Sequence, residues 1–350
     1  MNDTGGILHH GCRVVMGRLL EMLSGRDYEI KTIPIGRDWE PQKGVIDNAS
    51  AVFINGEGTM HHCSPVAKRL LAIVPYCTAR GIPVFLINSI WQGNDDEMKN
   101  LAADFSLRYV RESESQKQFL REGLAAYVVP DLTLGWEVRP VDSARPRSGR
   151  IYTDSVDPKT SEFLIRQHRA DAASHFVLLE PPAGDAEHWS STELAENLFH
   201  GTSNLQRIKN FRLKDHVAAC LLHLKPGARV PRIKFKSGNV RLPLARFLEA
   251  LESADLVVTG RFHAVCFCLL TGTPFLATAT NSHKIYGMLR DAGLEHRLVE
   301  PEDLAAVLLQ PPVWTAEDSQ KSAKFVLHAK LSQEKMMRNI FSAIGASGKV

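Results

Sequence analysis

DLVVTGRFHAVCFCLLTGTPFLATATNSHK, residues 255–284, decides the fold class through its order of apolar runs and breaks. Asp255 to Thr259 is a short apolar run closed by Gly260, as a buried strand would be. His263 to Leu270 then has the apolar content of a buried helix, and Pro274 to Ala277 gives a second strand. In an open parallel sheet, the carboxyl end of a strand and the amino end of the next helix form the crevice where ligands sit. Free N–H groups and the helix dipole favour an anion there. Arg261 and His263 fall in the first such turn, and Asn281, His283 and Lys284 in the second. Arginine grips a phosphate or carboxylate with a planar fork, and histidine exchanges a proton near neutral pH. Two neighbouring strand ends therefore feed one pocket. The plainer reading of the same residues is a helix cap and surface charges.

Strands and helices also alternate through the first half. The opening NDTGGILHHGC is a polar, Gly-rich turn before an amphipathic helix with Val14, Val15, Leu19, Leu20 and Leu23 at helical spacing. Such a turn normally follows a first strand, so either that strand is missing from this chain or the gene start has been placed late. Tyr28 to Pro34 reads as a strand. Ala51 to Asn55 is another, followed by GEGTMHH, where Gly56 and Gly58 allow backbone N–H groups to face a ligand. A helix over 65–80, a strand over 83–88, a strand over 107–110, a helix over 113–122 and a strand over 126–129 complete a doubly wound half.

VRPVDSARPRSGR, residues 138–150, reads as a linker. Beyond it, residues 150–153 and 176–180 are strand candidates, and 213–224 and 244–253 are helices. PRIKFKSGNVR, residues 231–241, is basic and free of acids; it fits a solvated loop or a mouth that attracts an anionic substrate. Residues 316–344 read as a last helix, with Phe325, Val326, Leu331, Met336 and Ile340 as its docking face. These divisions give an N-terminal domain over 1–140, a C-terminal domain over 150–315 and a helix within 316–350.

The 350 residues suffice for two cores, and 44% hydrophobic with 23% charged residues is a globular composition. A formal charge of +3 is too small to argue for nucleic acid. No apolar run is long enough to span a bilayer, and no secretion signal is evident, so a cytoplasmic location with at most peripheral membrane contact is expected. The six cysteines lack the spacing of a zinc site or disulfide framework, and reduced, buried thiols are expected. Adjacent ligands such as His61, His62 and Cys63 seldom hold one ion, so no metal is expected.

The string TGRFHAVCFCLLTGTPFLA followed by NSHK is similar to the C-terminal signature of the polysaccharide pyruvyl transferase family. The resemblance extends to the N-D-T and H-x-G opening, the NGEGTMHH loop, the VRESES segment and the Pro130–Asp131 pair. The chain departs from the family's pattern at Glu57, where a G-G-G loop is usual, and at His10, Gly11 and Cys12, where many members carry G-D. The resemblance implies two Rossmann-like domains facing a cleft in the GT-B manner, the first acceptor-side and the second donor-side. It implies transfer of the enolpyruvyl group of phosphoenolpyruvate to a saccharide or lipid-linked saccharide, with release of phosphate and no cofactor. Ketal formation needs an acid at the methylene carbon and a base or acceptor for the sugar hydroxyl proton. On that reading His263 is the acid, with Asp131 or Glu57 on the acceptor side. Arg261 and Lys284 hold the donor's charges, and Asn281, His283, Gly56, Gly58, Thr59, His61, Asn2, Thr4 and His10 complete the substrate contacts. Arg111 could bind a phosphate or pair with a nearby acid such as Glu112 or Glu114, and the pairing is the expectation. A nucleotide-sugar glycosyltransferase, with a cytidylate-linked acidic sugar as donor, and a non-catalytic glycan-binding module are the alternatives.

Overall fold

In parallel sheets covered by helices, strands are buried on both faces and read as continuous apolar runs. A computed structural model, which describes residues 1–24, 28–138, 146–181 and 240–346, shows two such sheets. The helix expected at 213–224, Cys220, part of the linker and most of the basic stretch lie outside the described residues.

The first sheet holds β1 (Val52–Glu57), β2 (Val84–Ser89), β3 (Leu107–Val110) and β4 (Tyr127–Val128) in that order, all parallel. The helices beside them are α1 (His10–Leu23), α2 (Lys43–Ile46), α3 (Pro65–Leu71), α4 (Ile73–Thr78), α5 (Asp96–Ala103) and α6 (Ser113–Arg121). The second sheet comprises β5 (Arg150–Ser155), β6 (Ser174–Leu178), β7 (Val240–Arg241), β8 (Leu256–Gly260), β9 (Phe275–Thr278) and β10 (Leu298–Val299). Its order is β10-β9-β8-β5-β6-β7, again parallel. Helices α7 (Pro158–Ala170), α8 (Leu244–Ser253), α9 (Phe262–Thr271), α10 (Lys284–Ala292), α11 (Leu304–Leu309) and α12 (Ala316–Ala346) accompany it.

The strand order reverses between β5 and β8, the place where such sheets bind ligands. Gly260 ends β8 against Ser155 of β5; a Cβ there would come 2.4 Å from that of Ser155. Helix α9 is buried almost all round, as its uninterrupted apolar sequence requires. Gly272, at φ 60°, stops it in the left-handed conformation before β9 begins.

The strand expected over 28–34 is absent. Met1 occupies the ladder position beside β1, its amino group donating to Phe53 O and its carbonyl accepting from Asn55 N–H. Residues near 34 bridge to Asp3, through Asp3 N–H to Ile33 O and Ile35 N–H to Asp3 O, and Pro34 O accepts from Arg37 N–H in a local turn. The helix expected over 65–80 is two helices, α3 and α4.

Helix α12 packs on both halves. Phe325 and Ala329 join the core around α9, while Met336, Met337 and Ile340 pack with Val15, Leu19 and Phe85 beside the first sheet. Leu331, expected on the docking face, is 55% exposed. Between the two contacts Gln333 is buried and its Nε2 donates to Asp131 O at 3.1 Å.

Candidate active site

The carboxyl ends of the two sheets meet through side chains. β1 ends at Glu57 and Gly58, β3 runs into Arg111 and Glu112, and β4 leads to Asp131. On the other sheet β8 runs into Arg261 and His263, and β9 leads through Asn281 and His283 to Lys284. Arg111 stacks on the Phe262 ring at 4.3 Å, and Ser115 Oγ lies 3.1 Å from His283 Nε2.

His263 is buried at the start of α9. Its ring lies against Gly11 in the first turn of α1, where a Cβ would sit 2.1 Å from the imidazole, so only glycine leaves it room. Among the described residues Nε2 has no hydrogen-bond partner, and it lies 3.8 Å from Asp131 Oδ1. Burial lowers the ring's pKa, against the pull of Asp131 and Glu57, and Arg111 and Lys284 add to the drop. The free ring is therefore neutral at neutral pH. Asp131 caps the short turn at Leu132–Gly135 by accepting from Thr133 N–H at 2.9 Å, and its other oxygen accepts from Arg111 Nη1 at 2.9 Å. Burial alone would raise this carboxyl's pKa, yet His263, Arg111 and Thr133 outweigh it, and the group is held below its ordinary value.

Glu57, expected on the acceptor side, is buried with φ 38°, a strained backbone for a residue with a side chain. It accepts from Thr4 Oγ1, from Asn55 Nδ2 at 3.0 Å and from Cys12 Sγ at 3.3 Å. Asn88, at the end of β2, is likewise left-handed, with φ 51°.

Two cations converge on Gly58. A Cβ built there would lie 3.9 Å from Arg111 Nη2 and 3.9 Å from Lys284 Nζ. Lys284 is buried, and burial with Arg111 and Arg261 nearby lowers its pKa to about 8. Its ammonium reaches only as far as Asn281 Oδ1, at 3.4 Å. Together these put two cationic groups from different strand ends at one glycine, an arrangement suited to a compact anion.

Arg261, expected to hold the donor's charges, is already paired with an acid. Its fork is taken by Asp154 at the end of β5, with Nε to Oδ1 at 2.8 Å and Nη2 to Oδ2. Arg111 bonds to Asp131 instead of Glu112 or Glu114; those acids pair with His283 and with Arg290 and Lys117. His10 turns away from this corner, with Nε2 2.8 Å from Leu242 O. Asn2 holds the edge of β1 by donating to Asn55 O. Gly56 is pressed on Ser89, Thr59 N–H bonds Gly56 O, and His61 Nδ1 lies 2.9 Å from His62 Nδ1. His61 faces the site closely enough for Lys284 and His283 to help burial lower its pKa. His283 is fixed by Glu112 at 3.2 Å.

A family model for polysaccharide pyruvyl transferases matches residues 9–282, most of the chain and nearly all of the strand ends just described. The chain belongs to the polysaccharide pyruvyl transferase family. That membership makes it a transferase acting in polysaccharide biosynthesis rather than a glycan-binding module. Lys284 lies two residues past the matched region. No curated protein matches the sequence. Among solved structures, a functionally uncharacterised protein from Klebsiella pneumoniae subsp. pneumoniae NTUH-K2044 is similar at 12% identity and TM-score 0.45, over 83% of this chain and 88% of that one. The glycotransferase of kitacinnamycin is similar at 12% identity and TM-score 0.42, over 97% and 96%. A structure of accessory secretory protein 1, 2 and 3 in Streptococcus pneumoniae aligns at 10% identity and TM-score 0.37, over 83% and 53%. At those scores the three likenesses carry no argument about this chain.

Proposed function

We propose that this transferase moves the pyruvyl group of phosphoenolpyruvate to a saccharide, closing a pyruvate ketal over two sugar hydroxyls and releasing phosphate. The observation that carries the reading is the convergence of Arg111 and Lys284 on Gly58, next to the facing pair His263 and Asp131. Phosphoenolpyruvate has a carboxylate and a phosphate on one small carbon frame, and two cations from different strand ends suit that pair of charges. Arg261, neutralised by Asp154, borders the donor rather than gripping it alone.

His263 is neutral before the donor arrives. The donor's negative charges oppose Arg111 and Lys284, so the ring takes up a proton as the donor binds, and Asp131 holds the resulting imidazolium. That proton passes to the methylene carbon, leaving the adjacent carbon electrophilic. One sugar hydroxyl adds there and returns its proton to His263. The second hydroxyl then displaces phosphate, which leaves with the remaining proton. The saccharide approaches from the α1 and Glu57 side, and the donor lies where residues 1–140 meet residues 150–315.

The test is calorimetric titration of phosphoenolpyruvate into the full chain and into Lys284→Met. The native protein should bind, and the variant should bind at least about tenfold more weakly, the loss of one charge-assisted contact. Binding of cytidine or uridine nucleotides in place of phosphoenolpyruvate would overturn the assignment of donor.

A further inference from the structure

His9 and Cys12 are three residues apart across the start of α1, so one helical turn brings them to the same side. His263 comes from the other sheet and lies edge-on to His9, with ring centroids 5.2 Å apart. One donor atom from each of His9, Cys12 and His263 lies within 4.8 Å of the others. His263 Nε2 is buried and has no hydrogen-bond partner among the described residues. Such an atom normally has a partner, and a ring held beside a thiol and a second imidazole points to a ligand that completes the group. Glu57 Oε2 lies 3.3 Å from Cys12 Sγ, next to this set of three rather than within it, and would turn toward an ion to complete it.

We propose that His9, Cys12 and His263, with Glu57 at the fourth corner, bind one divalent ion of the zinc class, and that the bound ion blocks pyruvyl transfer. Two imidazoles, a thiolate and a carboxylate are a tetrahedral borderline-soft donor set. The ion displaces the thiol proton to solvent; thiolate and carboxylate then balance its two charges, leaving a neutral group suited to burial. Ligand atoms around such an ion stand about 3.3–3.7 Å apart, given bonds of about 2.0–2.3 Å, so the three side chains close by roughly an ångström. Besides its ring contact with His263, His9 has among the described residues one long side-chain hydrogen bond, its Nδ1 accepting from Cys12 N–H at 3.4 Å, so its ring is the group that adjusts. Blocking rests on the function proposed above: a His263 ring with a metal on one nitrogen cannot become the imidazolium that proton transfer needs.

Cobalt(II) serves as the probe. The chelator-treated full chain is titrated with cobalt(II), and the near-ultraviolet thiolate-to-cobalt band is recorded with the visible bands of tetrahedral coordination. One equivalent should saturate both. Cys12→Ser, which preserves size and the hydrogen bond to Glu57, should lose the thiolate band, and His9→Ala should weaken cobalt binding at least about tenfold. A native protein without the band, or a band unchanged in Cys12→Ser, overturns the site. In parallel, one equivalent of zinc should abolish phosphate release from phosphoenolpyruvate, with recovery on chelation. Full turnover at a cobalt-saturated site would overturn the block and the proton role of His263 while leaving the metal site standing.

Discussion

The chemistry rests on a few buried groups whose neighbours set their charge. Replacing His263 with alanine should lower turnover by at least about a hundredfold with donor binding retained, since it removes the proton carrier and leaves Arg111 and Lys284 in place. Phosphate release together with donor titration checks this. Lys284 gives a pH signature. Its pKa is lowered from 10.5 to about 8, so the ammonium is charged below that pH and neutral above it. The groups around it are Arg111, Arg261, His9, His61, His263 and the amide of Asn281. The donor KM should therefore rise as pH climbs through about 8, and Lys284→Arg should flatten the profile. Arg261 is tested against its partner. If it mainly neutralises Asp154 at the β5–β8 switch, Arg261→Ala should impair donor binding and the added Asp154→Ala should recover much of it. Arg111 is a poorer probe, because its removal strands Asp131 without its buried partner at about 3–5 kcal/mol.

At the scale of elements, the strands announced themselves and several helices did not. β2 and β8 are fully buried, and their apolar runs were legible as strands. Helix α5 buries only Met98 and Ala102, and α7 only Thr160 and Leu164; so little apolar periodicity leaves nothing to read. Residues 28–34 resembled a strand, but Met1 already holds the edge of β1. In α12 the sequence marked Phe325, Met336 and Ile340 correctly and Leu331 wrongly, since the helix meets two different cores along its length. Ile340→Ala should lower stability by about 2–4 kcal/mol and Leu331→Ala by less than about 0.5, measured by denaturant unfolding. Arg111 was misread for a related reason: its acidic neighbours in sequence bond elsewhere, and its partner Asp131 lies twenty residues on. The grouping of His9 and Cys12 with His263 depends on α1 crossing to the other sheet, which no local pattern encodes.

Over the whole molecule, α1 and α12 tie the sheets together at the place where their carboxyl ends meet. Val14 belongs to the core of the second sheet while Val15 packs beside the first, and Gln333 of α12 donates to the backbone of Asp131. A donor held by Arg111 from one sheet and Lys284 from the other should thus stabilise both halves together. At a hundredfold excess over its dissociation constant, phosphoenolpyruvate should add about 2.7 kcal/mol, seen as one cooperative shift of thermal unfolding. The most direct check on the donor is phosphorus NMR of the full chain with phosphoenolpyruvate and a panel of acceptor saccharides. The account predicts that the phosphoenolpyruvate signal gives way to inorganic phosphate only when a competent saccharide is present, and not with His263→Ala. Unchanged phosphoenolpyruvate alongside nucleotide released from an activated sugar would contradict it.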